Sequence, residues 1–373
     1  MATDALGLYV HIPYCVRKCS YCDFCSVPSG SRAVPDEYVR ALCNEISLYK
    51  SDVKRVLDTV YFGGGTPSLL SSEQIYAIVS VIRETFDISD SAEITFEANP
   101  GTLTEDNASA FYSAGFNRVS LGLQSIHEKE MKKLGRIHDY DDFLSSITLL
   151  RKLGFNNVNV DLMYGIPYQT KDSFAKTLDV LLTLSPDHIS AYGLILEDGT
   201  PLYAERDMLE LPTIDDECDM YALCHKILES HGYEHYEISN YAKAGKRSRH
   251  NMLYWNLAEY IGVGAAAHSC FEGARYSNTE CVDEYIRSSL VQAPIRFVQE
   301  SDPELEYVML KLRLSDGFLL SEYEHRFGKS FCAGKEKLLT RLAEEGLVRI
   351  ADGRISLTYK GFYLSNSILV EFI

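Results

Sequence analysis

The chain has 373 residues, 46% hydrophobic and 24% charged, which excludes a collagenous, low-complexity or bulk-disordered protein. Its 36 basic and 53 acidic residues leave a formal charge of −17, which opposes a broad contact surface for nucleic acid or anionic lipid. Ten cysteines, no signal-peptide pattern and no run of about 18 uncharged apolar residues predict a cytoplasmic protein without a membrane span, in which clustered thiols mean metal or catalysis rather than disulfides.

The first predicted strand, residues 6–13, runs directly into Tyr14-Cys15-Val16-Arg17-Lys18-Cys19-Ser20-Tyr21-Cys22-Asp23-Phe24-Cys25. Cys15, Cys19 and Cys22 have CxxxCxxC spacing. Three thiolates on one short loop can hold one face of a cubane iron–sulfur cluster and leave the fourth iron open. Structural zinc is the rival, but it prefers four ligands, usually in two separated pairs, and no clear second pair follows. Coincidentally buried cysteines fit poorly beside Arg17, Lys18, Ser20 and Asp23. Cys25 stays open between a fourth ligand and a neighbouring small side chain.

Further predicted strands fall at 59–63, 93–99, 118–124, 157–164 and 188–196, with helical patterns near 36–50, 71–85, 104–114, 139–152 and 170–183. Ser71 and Thr104 read as helix starts, and Gly115 and Gly154 as helix ends. Strand alternating with helix implies parallel βαβ units, in either a partial barrel or an open doubly wound sheet. In both, ligands bind at the carboxyl ends of the strands. Several candidates sit at those ends: the glycine turn Gly63-Gly64-Gly65-Thr66, then Glu97, Gln124 and Asp161. A carboxylate there is costly to bury unpaired. Each could cap a helix, but three at one sheet edge suggest a shared ligand. Arg136, just beyond the fourth strand, is either a cation for a ligand carboxylate or a solvated helix-end residue.

Beyond residue 200 the rhythm changes. A helix near 213–231 leads into an irregular stretch rich in Tyr, His and Gly. The tail reads as helices at 303–313, 321–327 and 333–345, then two short strands, a winged-helix-like α+β unit. The expected organisation is 1–200, a 201–300 extension and 301–373.

The cysteine loop after the first strand resembles the signature of the radical S-adenosylmethionine (SAM) superfamily, in which SAM chelates the open iron of a [4Fe-4S] cluster. HIPYC, GGGTPSLL, EANPG, RVSLGLQS, LGRIH, VDLMYGIP, YEISNYAKAG, RHNMLYW and YIGVGAAAH together resemble the group that contains oxygen-independent coproporphyrinogen III oxidase and the HemW heme chaperones. That resemblance implies a partial (β/α)6 barrel and carries SAM contacts onto Tyr9, Phe24, Gly64, Gly65, Thr66, Glu97, Gln124, Arg136 and Asp161. It also implies cluster ligation by Cys15, Cys19 and Cys22.

Phe24 stands where the oxidase pattern has a further cysteine, which favours the chaperone branch over radical decarboxylation of coproporphyrinogen propionates. The implied ligands are the cluster, SAM and heme; the implied partners are an electron donor and hemoprotein acceptors such as respiratory enzymes. A homodimer is compatible with an open cluster near the surface. His250, in Arg249-His250-Asn251-Met252-Leu253-Tyr254-Trp255, is the candidate heme residue, its rival role being a core hydrogen bond. The segment Gly262-Val263-Gly264-Ala265-Ala266-Ala267 fits a GxGxxA pattern, but its irregular surroundings argue against a dinucleotide site.

Overall fold

The computed structural model describes residues 5–30, 33–50, 55–300 and 302–372. Six strands, β1 (Leu6–Ile12), β2 (Leu57–Gly64), β3 (Ile88–Ala98), β4 (Arg118–Gln124), β5 (Val158–Tyr164) and β6 (His188–Gly193), lie side by side in chain order and all parallel. Right-handed crossovers between in-order strands all fall on one face, so the sheet curls around the other. A doubly wound sheet would reverse its order at a switch point. The strand order therefore decides between the two architectures, in favour of the partial barrel.

The covering helices are α1 (Asp36–Ser47), α2 (Ser72–Thr85), α3 (Glu105–Ser113), α4 (Glu128–Lys133), α5 (Tyr140–Leu153) and α6 (Lys171–Thr183). Local chemistry sets most of their starts. Ser71 and Gln74, Thr104 and Asn107, Asp139 and Asp142, and Thr170 and Ser173 form reciprocal capping boxes. Side-chain alternation then sorts the strands into two faces. Leu6, Leu8, Val10 and Ile12 of β1 are completely buried on the helix side, as are Val119, Leu121 and Leu123 of β4. Below β3, Phe96 stacks on Phe111 at 3.9 Å and meets Phe116 edge-on; truncating Phe96 would cost about 3–5 kcal/mol. The opposite parity, including Tyr9, Tyr61, Glu97, Ser120, Asp161 and Tyr192, faces the barrel interior.

The stretch after residue 200 is more regular than its sequence suggests. After α7 (Ile214–Ser230), it contributes β7 (Glu234–Glu237), β8 (Asn240–Ala242), α8 (Arg249–Trp255), β9 (Glu259–Val263), β10 (His268–Phe271), β11 (Ala274–Asn278) and β12 (Arg296–Gln299). Strand β8 pairs antiparallel with β6, and β9 pairs parallel with β1, so one segment extends both edges of a sheet that reaches twelve strands. The extension thus continues the same sheet as the six parallel strands. A strand does precede the GxGxxA segment, but the chain after it turns into β10 instead of a phosphate-binding helix. A Cβ on Gly262 would lie 2.1 Å from the His268 carbonyl oxygen, so close packing explains that glycine.

The C-terminal unit has α9 (Pro303–Lys311), β13 (Phe318–Leu319), α10 (Leu320–Phe327), α11 (Glu336–Glu344) and a hairpin of β14 (Val348–Ala351) and β15 (Arg354–Leu357). Strand β13 pairs with β15, which completes the winged-helix-like arrangement expected from the sequence. Among the described residues no helix is long and apolar enough to cross a membrane.

Candidate functional site

The cysteine loop has almost no regular structure, so its position depends on hydrogen bonds to its surroundings. Tyr14 and Cys15 pair with Val27 and Pro28 in a two-residue ladder. Arg17 donates Nη2 to the Gly135 carbonyl at 2.6 Å, and Ser20 donates its amide and hydroxyl to Leu134 and Lys133 carbonyls, both at 2.9 Å. The loop is thus clamped to the turn beyond α4, which also carries Arg136.

One cavity of about 190 Å³ gathers the predicted residues from six separate segments. Cys15, Cys19, Cys22 and Phe24 line it from the loop; Gly64, Gly65 and Thr66 from the end of β2; Glu97, Gln124 and Asp161 from β3, β4 and β5; and Arg136 from the clamp. Tyr9 lines a second cavity of about 730 Å³, which the first adjoins through Lys18, Phe24, Ser26, Gly64 and Glu97.

The glycine turn is a steric requirement. A Cβ on Gly65 would sit 2.7 Å from the Tyr14 carbonyl oxygen and 2.9 Å from that of Ile12, inside the approach of the cysteine strand. Gly64 has φ +109°, which favours glycine. Its amide donates to Glu97 Oε2 at 3.2 Å, while the Tyr61 hydroxyl donates to Oε1 at 2.7 Å. Burial nevertheless pushes the Glu97 carboxyl up to about 7, so it can hold or release a proton near neutrality. Asp161 accepts from Asn159 at 2.7 Å and from Ser120 at 3.2 Å, and its carboxyl is likewise raised by burial.

The thiols form part of a polar chain that the sequence did not reveal. Arg136 reaches Cys19 Sγ through Nη1 at 3.5 Å and Asn99 Oδ1 through Nη2 at 2.9 Å. Asn99 Nδ2 donates to Thr66 Oγ1 at 2.9 Å, and the Thr66 hydroxyl donates to Cys15 Sγ at 3.4 Å. Asn99 thus connects the surroundings of two cysteines. It lies two residues beyond Glu97 along the same chain, the alternation signal that could have singled it out. Burial raises the Cys15 thiol and pushes Cys22 up to about 11, so ligation there must release protons.

The donor set suits a cluster that carries a polar co-ligand. Three thiols share a wall with two buried atoms that lack hydrogen-bond partners, Gln124 Oε1 and Arg136 Nε. Such atoms are costly unless a ligand or water satisfies them. Among the described residues no three His, Cys, Asp or Glu side chains converge as a single-ion site.

His250 has the surroundings of its rival role, a core hydrogen bond. It is 1% exposed, and its ring nitrogens contact Thr59 Oγ1 at 2.7 Å and Tyr254 OH at 2.8 Å. Its backbone amide donates to Glu93 at 3.1 Å. Burial lowers its pKa to about 3, so it is a neutral ring fastening α8 to β2 and offers no free nitrogen. Cys25 lines the larger cavity, not the cavity of the other three thiols, and donates to the Glu280 carbonyl at 3.4 Å.

Comparison with known proteins gives a consistent family pattern. Residues 9–181 match the radical SAM superfamily, and residues 299–364 match the HemN C-terminal domain. The chain is 35% identical to the heme chaperone HemW of Lactococcus lactis over 369 residues, covering 98% of this chain and 96% of that protein. It is 34% identical to HemW of Escherichia coli over 377 residues, covering 99% and 98%. The solved structure of coproporphyrinogen III oxidase (HemN) from Escherichia coli, a radical SAM enzyme, superposes with TM-score 0.86 at 25% identity, covering 98% of this chain and 89% of that one.

Proposed function

The chain belongs to the HemW family of heme chaperones within the radical SAM superfamily, and we propose that it binds a [4Fe-4S] cluster, SAM and heme and delivers the heme to hemoproteins. The observation that carries this reading is end-to-end similarity to HemW proteins, which spans the barrel, the extension and the C-terminal unit alike. The cytoplasm is its proposed location. Acceptors such as respiratory enzymes and a one-electron donor are its proposed partners.

Cys15, Cys19 and Cys22 would hold three irons of the cluster. With SAM on the fourth iron and an added electron, a radical SAM cluster supplies reductive cleavage of SAM. The chain's own residues would bind and orient that co-substrate. Gly64, Gly65 and Glu97 suit its amino group, because backbone carbonyls and a carboxylate accept its protons. Arg136 suits the carboxylate, and Gln124 and Asp161 suit ribose hydroxyls. Thr66 would brace Cys15, while Phe24 lines both cavities and Tyr9 the larger one.

The test is one anaerobically reconstituted sample assayed for cluster content, hemin binding, heme transfer to an apo-hemoprotein, and coproporphyrinogen III turnover with SAM and reductant. Stoichiometric hemin uptake and transfer are expected. Robust protoporphyrinogen formation without heme transfer would replace this reading with the oxidase.

A further inference from the structure

The cavity of about 730 Å³ extends well beyond the wall it shares with the cysteine cavity. Its volume falls in the range of about 300–1,000 Å³ usual for small-molecule sites. It offers what a flat aromatic metal complex needs. Phe24, 64% exposed, lines both cavities and presents an apolar ring there. Tyr254 and Tyr260 form another part of the lining, packed edge-to-face at 4.6 Å.

The lining also narrows the choice of iron ligand. His11 uses one ring nitrogen on Tyr9 OH at 3.0 Å and the other on the Cys25 carbonyl at 2.9 Å. The Cys25 thiol is engaged with Glu280, and His250 lies outside the lining with both nitrogens bonded. His268 differs. It is exposed at the start of β10 and lines the cavity. Its Nδ1 lies 3.2 Å from Gln299 Nε2, and among the described residues its Nε2 has no hydrogen-bond partner.

Building on the heme reading above, we propose that heme occupies the larger cavity with His268 Nε2 as its axial ligand. The imidazole lone pair replaces a water on ferric iron, and no electron changes hands. The recorded contact, with Gln299 Nε2 donating to Nδ1, places the ring proton on Nε2; ligation moves it to Nδ1, where Gln299 Oε1 accepts it once the amide turns, the outer hydrogen bond that orients an iron-bound histidine. The open side of the cavity lets the propionates reach solvent, and Lys18 supplies a cation on the wall shared with the cysteine site.

The experiment titrates hemin anaerobically into full-length, cluster-loaded wild type and His268→Ala, following heme absorption and the EPR of the ferric heme. The variant is expected to bind about ten-fold or more weakly and to lose the histidine-ligated spectrum, with added imidazole restoring it. Wild-type affinity and spectrum in His268→Ala would overturn the proposal. In wild type carrying isotope-labelled histidine, the heme hyperfine pattern must change; an unchanged pattern overturns the proposal whatever the fate of the variant. Failure of wild type to bind hemin would instead overturn the heme reading itself.

Discussion

Replacing Asn99 with leucine keeps approximate side-chain volume and removes both arms of the chain between Arg136 and Thr66. The amide makes two contacts of 2.9 Å, one from Arg136 Nη2 and one to Thr66 Oγ1, and Thr66 is only 2% exposed. A neutral buried hydrogen bond contributes about 1 kcal/mol, and one to a charged group about 1.5–3 kcal/mol. Asn99→Leu should therefore destabilise the cluster-free protein by about 2–4 kcal/mol in urea unfolding. The chain also reaches Cys19 and Cys15 at 3.5 and 3.4 Å, so its loss should weaken donation to both sulfurs. Hydrogen bonds to cluster sulfurs raise the reduction potential. A loss of about 1 kcal/mol of such stabilisation corresponds to about 40 mV, so the variant's midpoint should fall by tens of millivolts in an EPR-monitored titration. A double-variant cycle with Thr66→Val isolates the coupling. If the two destabilisations add to within about 0.5 kcal/mol and the potential does not move, the chain is not a functional unit and the reasoning fails.

Cys15→Ala, Cys19→Ala and Cys22→Ala should each abolish the visible absorption and reduced-state EPR of a reconstituted cluster, while Cys25→Ala retains them. Gly65→Ala should displace the cysteine strand by forcing a Cβ against the Tyr14 and Ile12 carbonyls; its SAM affinity, measured by calorimetry, should fall more than its thermal stability. Glu237 is 1% exposed, and burial pushes its carboxyl up to about 7. The folded chain therefore binds this proton more tightly than the unfolded chain. The resulting stability is fully present below about pH 4.5 and is lost as pH rises through about 7, on the order of 3 kcal/mol in all. Urea unfolding of Glu237→Gln should show a flatter pH dependence across that window.

The barrel was legible because its signals are local. Apolar runs alternate with capped helices, and Ser71, Thr104 and Gly154 mark helix ends by side-chain or backbone chemistry within a few residues. The sequence could not choose between barrel and doubly wound sheet, because strand order is a long-range property. The same limitation hid β7 to β12: these strands are three to five residues long, too short for a period to register. Their existence depends on pairings such as Leu8 with Ile261. At the site, Glu97, Gln124 and Asp161 are visible because a carboxylate is costly to bury unpaired and three polar side chains fall at one sheet edge. Asn99 stands in the EANPG motif, but only geometry shows what its amide connects. His250 shows the converse. Its motif advertised a ligand, and the spent state of both ring nitrogens exists only once Thr59 and Tyr254 are brought around it.

The two-edged grip of the extension on the barrel bears on how the chain assembles during synthesis. Until residues 259–263 leave the ribosome, β1 lacks its outer neighbour, and the strand that leads into the cysteine loop is an open edge prone to wrong pairing. At the other rim, β6 waits for residues 240–242. Contacts this distant in sequence make folding slow. The cysteines emerge early, but their final frame is completed late, so stable cluster insertion belongs after the extension has docked. Iron offered before that point meets a flexible peptide with three thiols instead of a formed site.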